Sequence, residues 1–214
     1  MEMEDGMQER VSETEYKNSS IMVSICCITY NQASYIRDAL EGFVNQKTDF
    51  AYEVLIHDDA SNDGTADIIR EYADRYPDLI FPILQTENQY SKGLTNVSGT
   101  FNFPRARGKY IAMCEGDDYW TDDRKLQQVD YLEANPGCSL CFHSAKVEIQ
   151  GKALTEHAMR PYKGSRMVSP EEIIDKTSGY PTASLMFYRE MVADLPDFYN
   201  NAPIADIPLQ LLSA

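Results

Sequence analysis

Short apolar runs alternate with amphipathic helical patterns along most of this chain, and this alternation restricts the possible fold more than any other feature. The run Val23 to Thr29 precedes one such pattern, and Val54 to His57 precedes another. The apolar faces of the two patterns consist of Ile36, Leu40, Phe43 and Val44, and of Ile68, Ile69, Tyr72, Ala73 and Tyr76. Continuous apolar strands separated by amphipathic helices are typical of a mostly parallel central sheet flanked by helices. The predicted fold class is therefore α/β.

Later segments extend the pattern. Further strands are predicted at Ile80 to Leu84, Tyr110 to Cys114, Ser139 to Glu148 and Ala183 to Tyr188, and further helices at Asp122 to Asn135 and from Ser169 through Ile174. The second helix has its own boundary signals, because Ser61, Asn62 and Asp63 offer N-caps and Pro77 ends it. Gln85 to Arg107 shows no firm period, and loops of that length are usually functional or mobile.

The two ends of the chain differ in character. Residues 1–20 are polar and acidic, which predicts a disordered tail, and residues 21–214 are expected to form a single domain. The first residues lack the basic and apolar regions of a signal peptide, and no stretch approaches 18 consecutive apolar residues. Neither export nor a transmembrane segment is therefore expected.

The five cysteines favour a reducing, cytoplasmic setting, because most of them lie among apolar residues where a thiol packs as a small hydrophobe. Cys138 and Cys141 have the spacing of a zinc or redox pair. No second pair or histidine cluster completes such a site, so the interpretation as a strand is favoured.

The net charge of −15 limits the partners that the chain can bind. Such a charge repels nucleic acid and anionic lipid surfaces, and the sequence shows no basic patch that would override it. A phosphate ligand would also be repelled unless a divalent ion or a nearby Lys or Arg compensated its charge.

Three carboxylates follow the fourth predicted strand within four residues. They belong to Glu115, Asp117 and Asp118. Carboxylate oxygens suit Mg²⁺ or Mn²⁺, and Mg²⁺ is usually held by one or two protein carboxylates together with substrate phosphates. The alternative is a solvated acidic turn ahead of a helix, since Asp122 and Asp123 follow and acids favour a first helical turn.

Polar clusters follow three of the predicted strands, at Thr29 to Asn31, His57 to Thr65 and Glu115 to Trp120. Ligands of open parallel sheets bind beyond the carboxyl ends of the strands, so one crevice is expected to collect all three clusters. Turn chemistry explains the middle cluster well except for Asp58 and Asp59. The three histidines lack metal-ligand spacing and receive no role, and Trp120 is expected to belong to the core.

With these motifs, the chain resembles the family 2 nucleotide-sugar glycosyltransferases, which have an A-type, Rossmann-like catalytic domain. The resemblance covers about Met22 to Val147. It rests on the opening strand through Asn31, on the Asp-Asp-x-Ser-x-Asp-Gly-Thr signature from Asp58 to Thr65, and on Gly108 leading into the acidic motif. The family commonly has Asp where this chain has Glu115.

The resemblance implies a binding site for a nucleotide sugar, with a UDP-sugar as the expected donor. Thr29, Tyr30 and Asn31 would line the base and ribose pocket, with the Tyr30 ring near the base. Asp58 would accept a hydrogen bond from the base edge, or Asp59 in its place.

The resemblance also implies a Mn²⁺ or Mg²⁺ ion that clamps the diphosphate. Glu115, Asp117 and Asp118 would hold this ion and contact the ribose. A basic side chain between the third and fourth strands would meet the phosphates, with Lys92 as the first candidate and then Arg105 and Arg107, although exposed loop cations are usually only solvated.

Catalysis in the family usually inverts the anomeric centre, with a carboxylate base deprotonating the acceptor hydroxyl. Asp206 is the candidate base, followed by Asp197 and Asp194, and a surface or helix-capping role competes at each position. The expected acceptor is a glycan or a lipid-linked molecule in surface polysaccharide biosynthesis, and peripheral membrane association is compatible with a lipid-linked acceptor.

Two other functions compete with transfer. A nucleotide-sugar-binding module without turnover is one, because relatives continue with acceptor-binding segments where this chain stops at Ala214, as a truncated chain would. A Mg²⁺-dependent phospho-acceptor receiver domain is the other, since paired acids after an early strand also bind Mg²⁺. The recurrence of acids after the fourth strand and the chain length disfavour the receiver.

Overall fold

The computed structural model describes residues 20–121, 123, 125–148, 158–159, 167–169, 171–172, 180–200, 202 and 206–212. Its strands are β1 (Val23–Thr29), β2 (Tyr52–Asp58), β3 (Ile80–Leu84), β4 (Tyr110–Met113), β5 (Leu140–Cys141), β6 (Ala145–Lys146), β7 (Ala158–Met159) and β8 (Met186–Tyr188). The α-helices described here are α1 (Ile36–Val44), α2 (Thr65–Arg75), α3 (Gln128–Ala134), α4 (Asp197–Asn200) and α5 (Asp206–Leu212). The predicted acidic tail lies outside the described residues except for its last position.

Six strands form one mixed sheet in the order β3-β2-β1-β4-β8-β5. The four strands from β3 to β4 are mutually parallel, whereas β8 runs antiparallel to β4 and to β5. The sheet is flanked by helices, so the α/β prediction is confirmed. Strands β6 and β7 pair separately as a two-stranded antiparallel sheet.

The apolar side chains of the sheet are buried on both faces. One face packs against helices α1, α2 and α3, through residues such as Phe43, Tyr72 and Leu132. The other face packs against Phe103 and against Leu209 of α5. Burial on both sides explains why β1 and β2 are continuously apolar at most positions instead of alternating.

Some predicted boundaries were wrong. The strand expected from Ser139 to Glu148 is divided into β5 and β6, and the strand expected from Ala183 begins only at Met186. Phe142 lies between β5 and β6 and stacks on Tyr180, with ring centroids 3.7 Å apart, so this side chain joins the core instead of extending the ladder.

Two helices also begin differently from the prediction. The helix expected from Asp122 opens with a 3₁₀ turn at Lys125–Gln127 before α3, while residues 122 and 124 lie outside the described part. The N-cap position of α2 is Gly64, with φ of 99°, and not one of the three predicted residues. Asp63 nevertheless accepts a hydrogen bond from the Thr65 backbone amide at 3.0 Å.

The segment between β3 and β4 has more local structure than its composition predicts. It contains 3₁₀ turns at Tyr90–Lys92 and Phe103–Arg105 and a π-helical turn at Ser98–Asn102. Within the described ranges, no helix has the length and apolar character needed to cross a bilayer.

A buried carboxylate ties together the amino ends of β1, β2 and β4. The Glu53 side chain is 1% exposed and accepts hydrogen bonds from Ser24 Oγ at 2.6 Å and from Arg107 Nε at 2.7 Å. The Gly108 amide donates to Ser24 Oγ at 2.9 Å. This network lies at the opposite end of the strands from the three polar clusters.

We expect Gly108→Ala to destabilise the domain, because a Cβ atom there would lie 2.5 Å from the Ser24 backbone nitrogen and 2.8 Å from the Tyr110 carbonyl oxygen. Backbone atoms cannot move aside cheaply, so the loss should be about 2 kcal/mol or more. Gly137→Ala is the matched control, since a Cβ atom at Gly137 has nothing within 4 Å. Urea unfolding of both variants measures the difference, and equal free energies of unfolding would refute the close packing at Gly108.

Candidate active site

A cavity of about 280 Å³ opens at the carboxyl ends of the central parallel strands. Five residues predicted for the site line it: Thr29, Tyr30, Asp59, Glu115 and Asp117. They come from the three separate polar clusters. The parallel register explains this convergence, because Thr29 at the end of β1 lies opposite Asp58 at the end of β2.

The loops after β1 and β2 are bound directly to each other. The Asn31 amide donates to Ser61 Oγ at 2.8 Å, and the Asn62 amide donates to Asn31 Oδ1 at 2.9 Å. Asn31 has a positive φ of 52°, a conformation that asparagine adopts more readily than most residues. It does not line the cavity, so the structure gives it the role of joining the two loops.

Asp58 and Asp59 have different partners despite being neighbours. Asp58 is buried and turns back on its own loop, where it accepts hydrogen bonds from the Ser61 amide at 3.0 Å and from Ser61 Oγ at 2.5 Å. It is not among the residues that line the cavity, whereas Asp59 is. Of the two alternatives for contact with a base edge, the geometry favours Asp59.

Asp59 also anchors the loop that follows β3. Its Oδ1 accepts the Gln89 amide at 2.7 Å, and its Oδ2 accepts the Tyr90 amide at 3.0 Å. The Asn88 side chain donates to the Asp59 carbonyl oxygen at 3.2 Å. These bonds place Tyr90, a residue that is 62% exposed, at the cavity with Tyr30, which is 47% exposed. The two phenol rings give the opening an aromatic lining.

The acidic run after β4 continues along the end of β1. The Gly116 amide donates to the Ile28 carbonyl oxygen at 2.9 Å. A Cβ atom at Gly116 would lie 2.6 Å from Gln32 Oε1 and 2.8 Å from Thr29 Oγ1, so only glycine fits against these two side chains. The turn therefore sets the flanking carboxylates at the cavity.

The flanking acids are not equivalent. Glu115 and Asp117 line the cavity, whereas Asp118 does not. Desolvation, together with the charge of Asp117, raises the pKa of the Asp118 carboxyl. Trp120 belongs to the core as predicted, with Nε1 donating to the Ala183 carbonyl oxygen at 2.9 Å.

The predicted phosphate-binding cations lie elsewhere. Lys92 is exposed and forms an ion pair with Glu87, which lowers the pKa of that carboxyl. Arg107 pairs with Glu53 at the amino ends of the strands. Arg105 donates to the Phe81 carbonyl oxygen at 3.2 Å, near the start of β3. None of these three side chains lines the cavity.

The acidic residues are compatible with a divalent cation, although in the described part of the chain no three His, Cys, Asp or Glu side chains are gathered closely enough to form a metal site alone. Glu115 and Asp117 share the cavity wall. Two carboxylates suit a Mg²⁺ or Mn²⁺ ion whose remaining ligands are phosphates and water. Asp118, the third predicted ligand, does not line the cavity with them.

Gln32, His57 and Tyr90 also line the cavity, although the sequence assigned no role to any of the three. His57 precedes the paired acids directly, and this position at a strand end was the available signal. The spacing of the histidines argues only against a metal site, so it left this position without a role. For Gln32 and Tyr90 the sequence carries no comparable signal.

The candidate bases stay untested. Asp206 and Asp197 begin α5 and α4, but their side chains lie outside the described part of the structure. Asp194 is exposed and does not line the cavity.

A family model, Glycosyl transferase family 2, matches residues 24–192. The match covers most of the chain, and the chain therefore belongs to this family.

Curated relatives match part of the chain. An uncharacterized protein of Mycobacterium tuberculosis is 51% identical over 130 residues, which are 58% of this chain and 35% of the relative. A glucosyltransferase of Escherichia coli, whose name describes transfer from UDP-Glc to α-D-GlcNAc-diphosphoundecaprenol, is 32% identical over 112 residues, covering 52% of this chain and 41% of the relative. The chain thus spans less than half the length of these two relatives.

Among solved structures, a mannosyltransferase of Pyrobaculum calidifontis in complex with GDP-Man and Mn²⁺ superposes with a TM-score of 0.59. The superposition covers 90% of this chain and 51% of the other, at 20% sequence identity. At that identity the likeness establishes the fold, which is the A-type glycosyltransferase fold.

We expect Asp59→Asn to loosen the loop after β3, because an amide nitrogen would face one of the two backbone amides that Asp59 now binds. Loss of a charge-assisted bond costs about 1.5–3 kcal/mol, so exchange of the Gln89 and Tyr90 amide hydrogens should accelerate by about tenfold or more. Hydrogen exchange resolved by residue measures this. In Asp58→Asn, the control, Ser61 should respond while Gln89 keeps its protection; unchanged exchange at Gln89 in Asp59→Asn would contradict the anchoring role.

Proposed function

We propose that this domain transfers a sugar from a nucleotide-diphosphate sugar, with a UDP-sugar as donor, to a glycan or lipid-linked acceptor in surface polysaccharide biosynthesis. One observation carries the proposal: Tyr30, Asp59 and the pair Glu115 and Asp117 line a single cavity. Aromatic rings suit a base, and carboxylates suit a metal-bound diphosphate. Family membership supports the same reaction class.

The nucleoside would occupy the part of the cavity between the two tyrosines. The exposed rings of Tyr30 and Tyr90 offer flat surfaces, and stacking of a base on an aromatic ring contributes about 1–3 kcal/mol. Thr29 Oγ1 and Gln32 Oε1 are buried without hydrogen-bond partners. Both lie on cavity-lining residues, so they are suited to hydroxyl groups of a ribose.

Glu115 and Asp117, which line the cavity, would hold the divalent ion; Asp118, the third ligand that the resemblance implied, does not line it. When bound, Mn²⁺ or Mg²⁺ supplies Lewis acidity that stabilises the departing diphosphate. The chain's own contribution is to fix two carboxylates beside the nucleotide through the glycine turn that packs on Thr29 and Gln32. The mannosyltransferase structure with GDP-Man and Mn²⁺ offers a precedent in the same fold.

We further propose that transfer inverts the anomeric centre and that Asp206 removes the proton from the acceptor hydroxyl. The proposal rests on the resemblance to the family, with Asp197 and Asp194 as the next candidates. A base must approach the acceptor oxygen to about 3 Å, so the Asp206 carboxylate and the acceptor hydroxyl would have to meet at the cavity.

The proposed setting is the cytoplasm, with peripheral contact to the membrane where lipid-linked acceptors lie. The acceptor named for the E. coli relative is a diphosphoundecaprenol derivative, which supports a lipid-linked acceptor here. The net charge of −15 disfavours direct adhesion to anionic lipids. Recruitment by the acceptor itself or by partner enzymes is therefore the proposed route.

Asp117→Ala should reduce Mn²⁺-dependent transfer or donor hydrolysis by about a hundredfold or more, since a misplaced metal forfeits several kcal/mol of transition-state stabilisation. Asp130→Ala is the matched control, because Asp130 is an exposed acid of α3 away from the cavity. Release of UDP from UDP-sugars with and without Mn²⁺ provides the assay.

Equal activity in Asp117→Ala and the parent chain would remove the metal role of this residue. Tight UDP binding by calorimetry, without transfer to any acceptor or hydrolysis, would instead favour a binding module without turnover.

A further inference from the structure

His57 has one ring nitrogen with a partner and one without. Its side chain is fully buried in β2, lines the cavity, and stacks on Phe101 with ring centroids 4.4 Å apart and an interplanar angle of 16°. Its Nε2 lies 3.2 Å from Gln85 Nε2. Its Nδ1 is buried and has no hydrogen-bond partner.

Folding does not require a polar ring at this position. The preceding residues of β2, Leu55 and Ile56, are apolar and buried, and stacking on Phe101 needs only a flat ring. A buried polar atom without a partner costs free energy, and such an atom in a native cavity calls for an explanation. A ligand group that pairs with Nδ1 would supply one.

The hydrogen bond to Gln85 determines what that group must be. Burial lowers the pKa of His57, so the ring is neutral near neutral pH and carries one proton. With the nitrogen of the Gln85 amide facing the ring, this nitrogen donates and Nε2 accepts. The proton then resides on Nδ1, which is a donor and requires an acceptor such as a carbonyl oxygen.

Asp59, two residues after His57, supplies the opposite chemistry. Asp59 lines the same cavity with a carboxylate, which can only accept hydrogen bonds when ionised. A donor and an acceptor that line one cavity complement a base edge on which a carbonyl oxygen adjoins a ring N–H. Uracil presents this edge at O4 and N3. Cytosine presents an amino group and an unprotonated nitrogen at the same two positions, so both contacts would be mismatched.

We propose that His57 reads the nucleobase, with Nδ1–H donating to O4 of uracil while Asp59 accepts from N3–H, and that this pair selects uracil over cytosine. The inference rests on the proposed binding of a nucleotide sugar at this cavity. It adds a specificity-determining residue that contacts the base, and it concerns binding alone.

Calorimetric titration of UDP and CDP in the presence of Mn²⁺ tests the proposal, because these ligands differ only at the base edge. The parent chain should prefer UDP. His57→Phe keeps a flat ring over Phe101 but removes the donor, and its affinity for UDP should fall about tenfold, or about 1.4 kcal/mol, with little change for CDP. His57→Asn places an amide nitrogen near the Nδ1 position and should recover part of the preference.

His143→Phe is the control, since His143 is an exposed histidine beyond β5, and both affinities should stay at the parent values. The parent chain also gives a measurement that needs no variant: addition of UDP, but not of CDP, should shift the ¹⁵N–¹H resonance of His57 Nδ1 downfield.

The outcomes separate the two proposals. A parent chain that binds no nucleoside diphosphate would overturn the proposed function of the cavity. Suppose that the parent chain prefers UDP, that His57→Phe keeps this preference, and that UDP leaves the His57 Nδ1 resonance unmoved. These results would overturn the role of His57 alone. Equal affinity of the parent chain for UDP and CDP would also overturn base reading.

Discussion

The parallel pairing of β1 with both β2 and β4 is the constraint on which the rest of the site depends. Because the three strands run in the same direction, the residues that follow them emerge at one edge of the sheet. Pairing continues beyond the carboxyl end of β4, where the Cys114 amide donates to the Cys26 carbonyl oxygen and the Gly116 amide donates to the Ile28 carbonyl oxygen. The acidic turn is thereby held against the end of β1, and its carboxylates reach the cavity that the other two strands border.

The neighbouring acids Asp58 and Asp59 have different roles, although they are adjacent in the sequence. Asp58 turns inward and stabilises its own loop, whereas Asp59 binds two backbone amides of a distant loop and still borders the cavity. A carboxylate has about four lone-pair positions, so Asp59 can hold both amides and accept a further donor. A structural bond and a ligand contact therefore do not compete at this residue.

Features that depend on local sequence signals were predictable, whereas features that depend on contacts between residues distant in sequence were not. Strands β1 and β3 have the predicted limits, since a continuous apolar run between turn residues is a local signal. The divided region of β5 and β6 was not predictable, because it depends on Phe142 finding Tyr180 far along the chain. The same reasoning separates site residues. Glu115 and Asp117 were recognisable as acids that follow a predicted strand. The proposed role of His57 depends on its contacts with Phe101 and Gln85, which only the fold brings close to it.

Charge balance links the fold to the proposed chemistry. Within the described residues, no lysine or arginine lines the cavity. Between β3 and β4, Lys92 contacts Glu87, Arg107 contacts Glu53, and Arg105 donates to the Phe81 carbonyl oxygen. A diphosphate entering beside Glu115 and Asp117 would add negative charge to a site that already contains two carboxylates and Asp59. Two unit charges of the same sign about 4 Å apart repel each other by about 4 kcal/mol near a protein surface, where the effective dielectric constant is about 20. A divalent ion between carboxylates and phosphates would reverse the sign of that interaction, so the same acids that would repel the donor alone would favour its binding together with the metal.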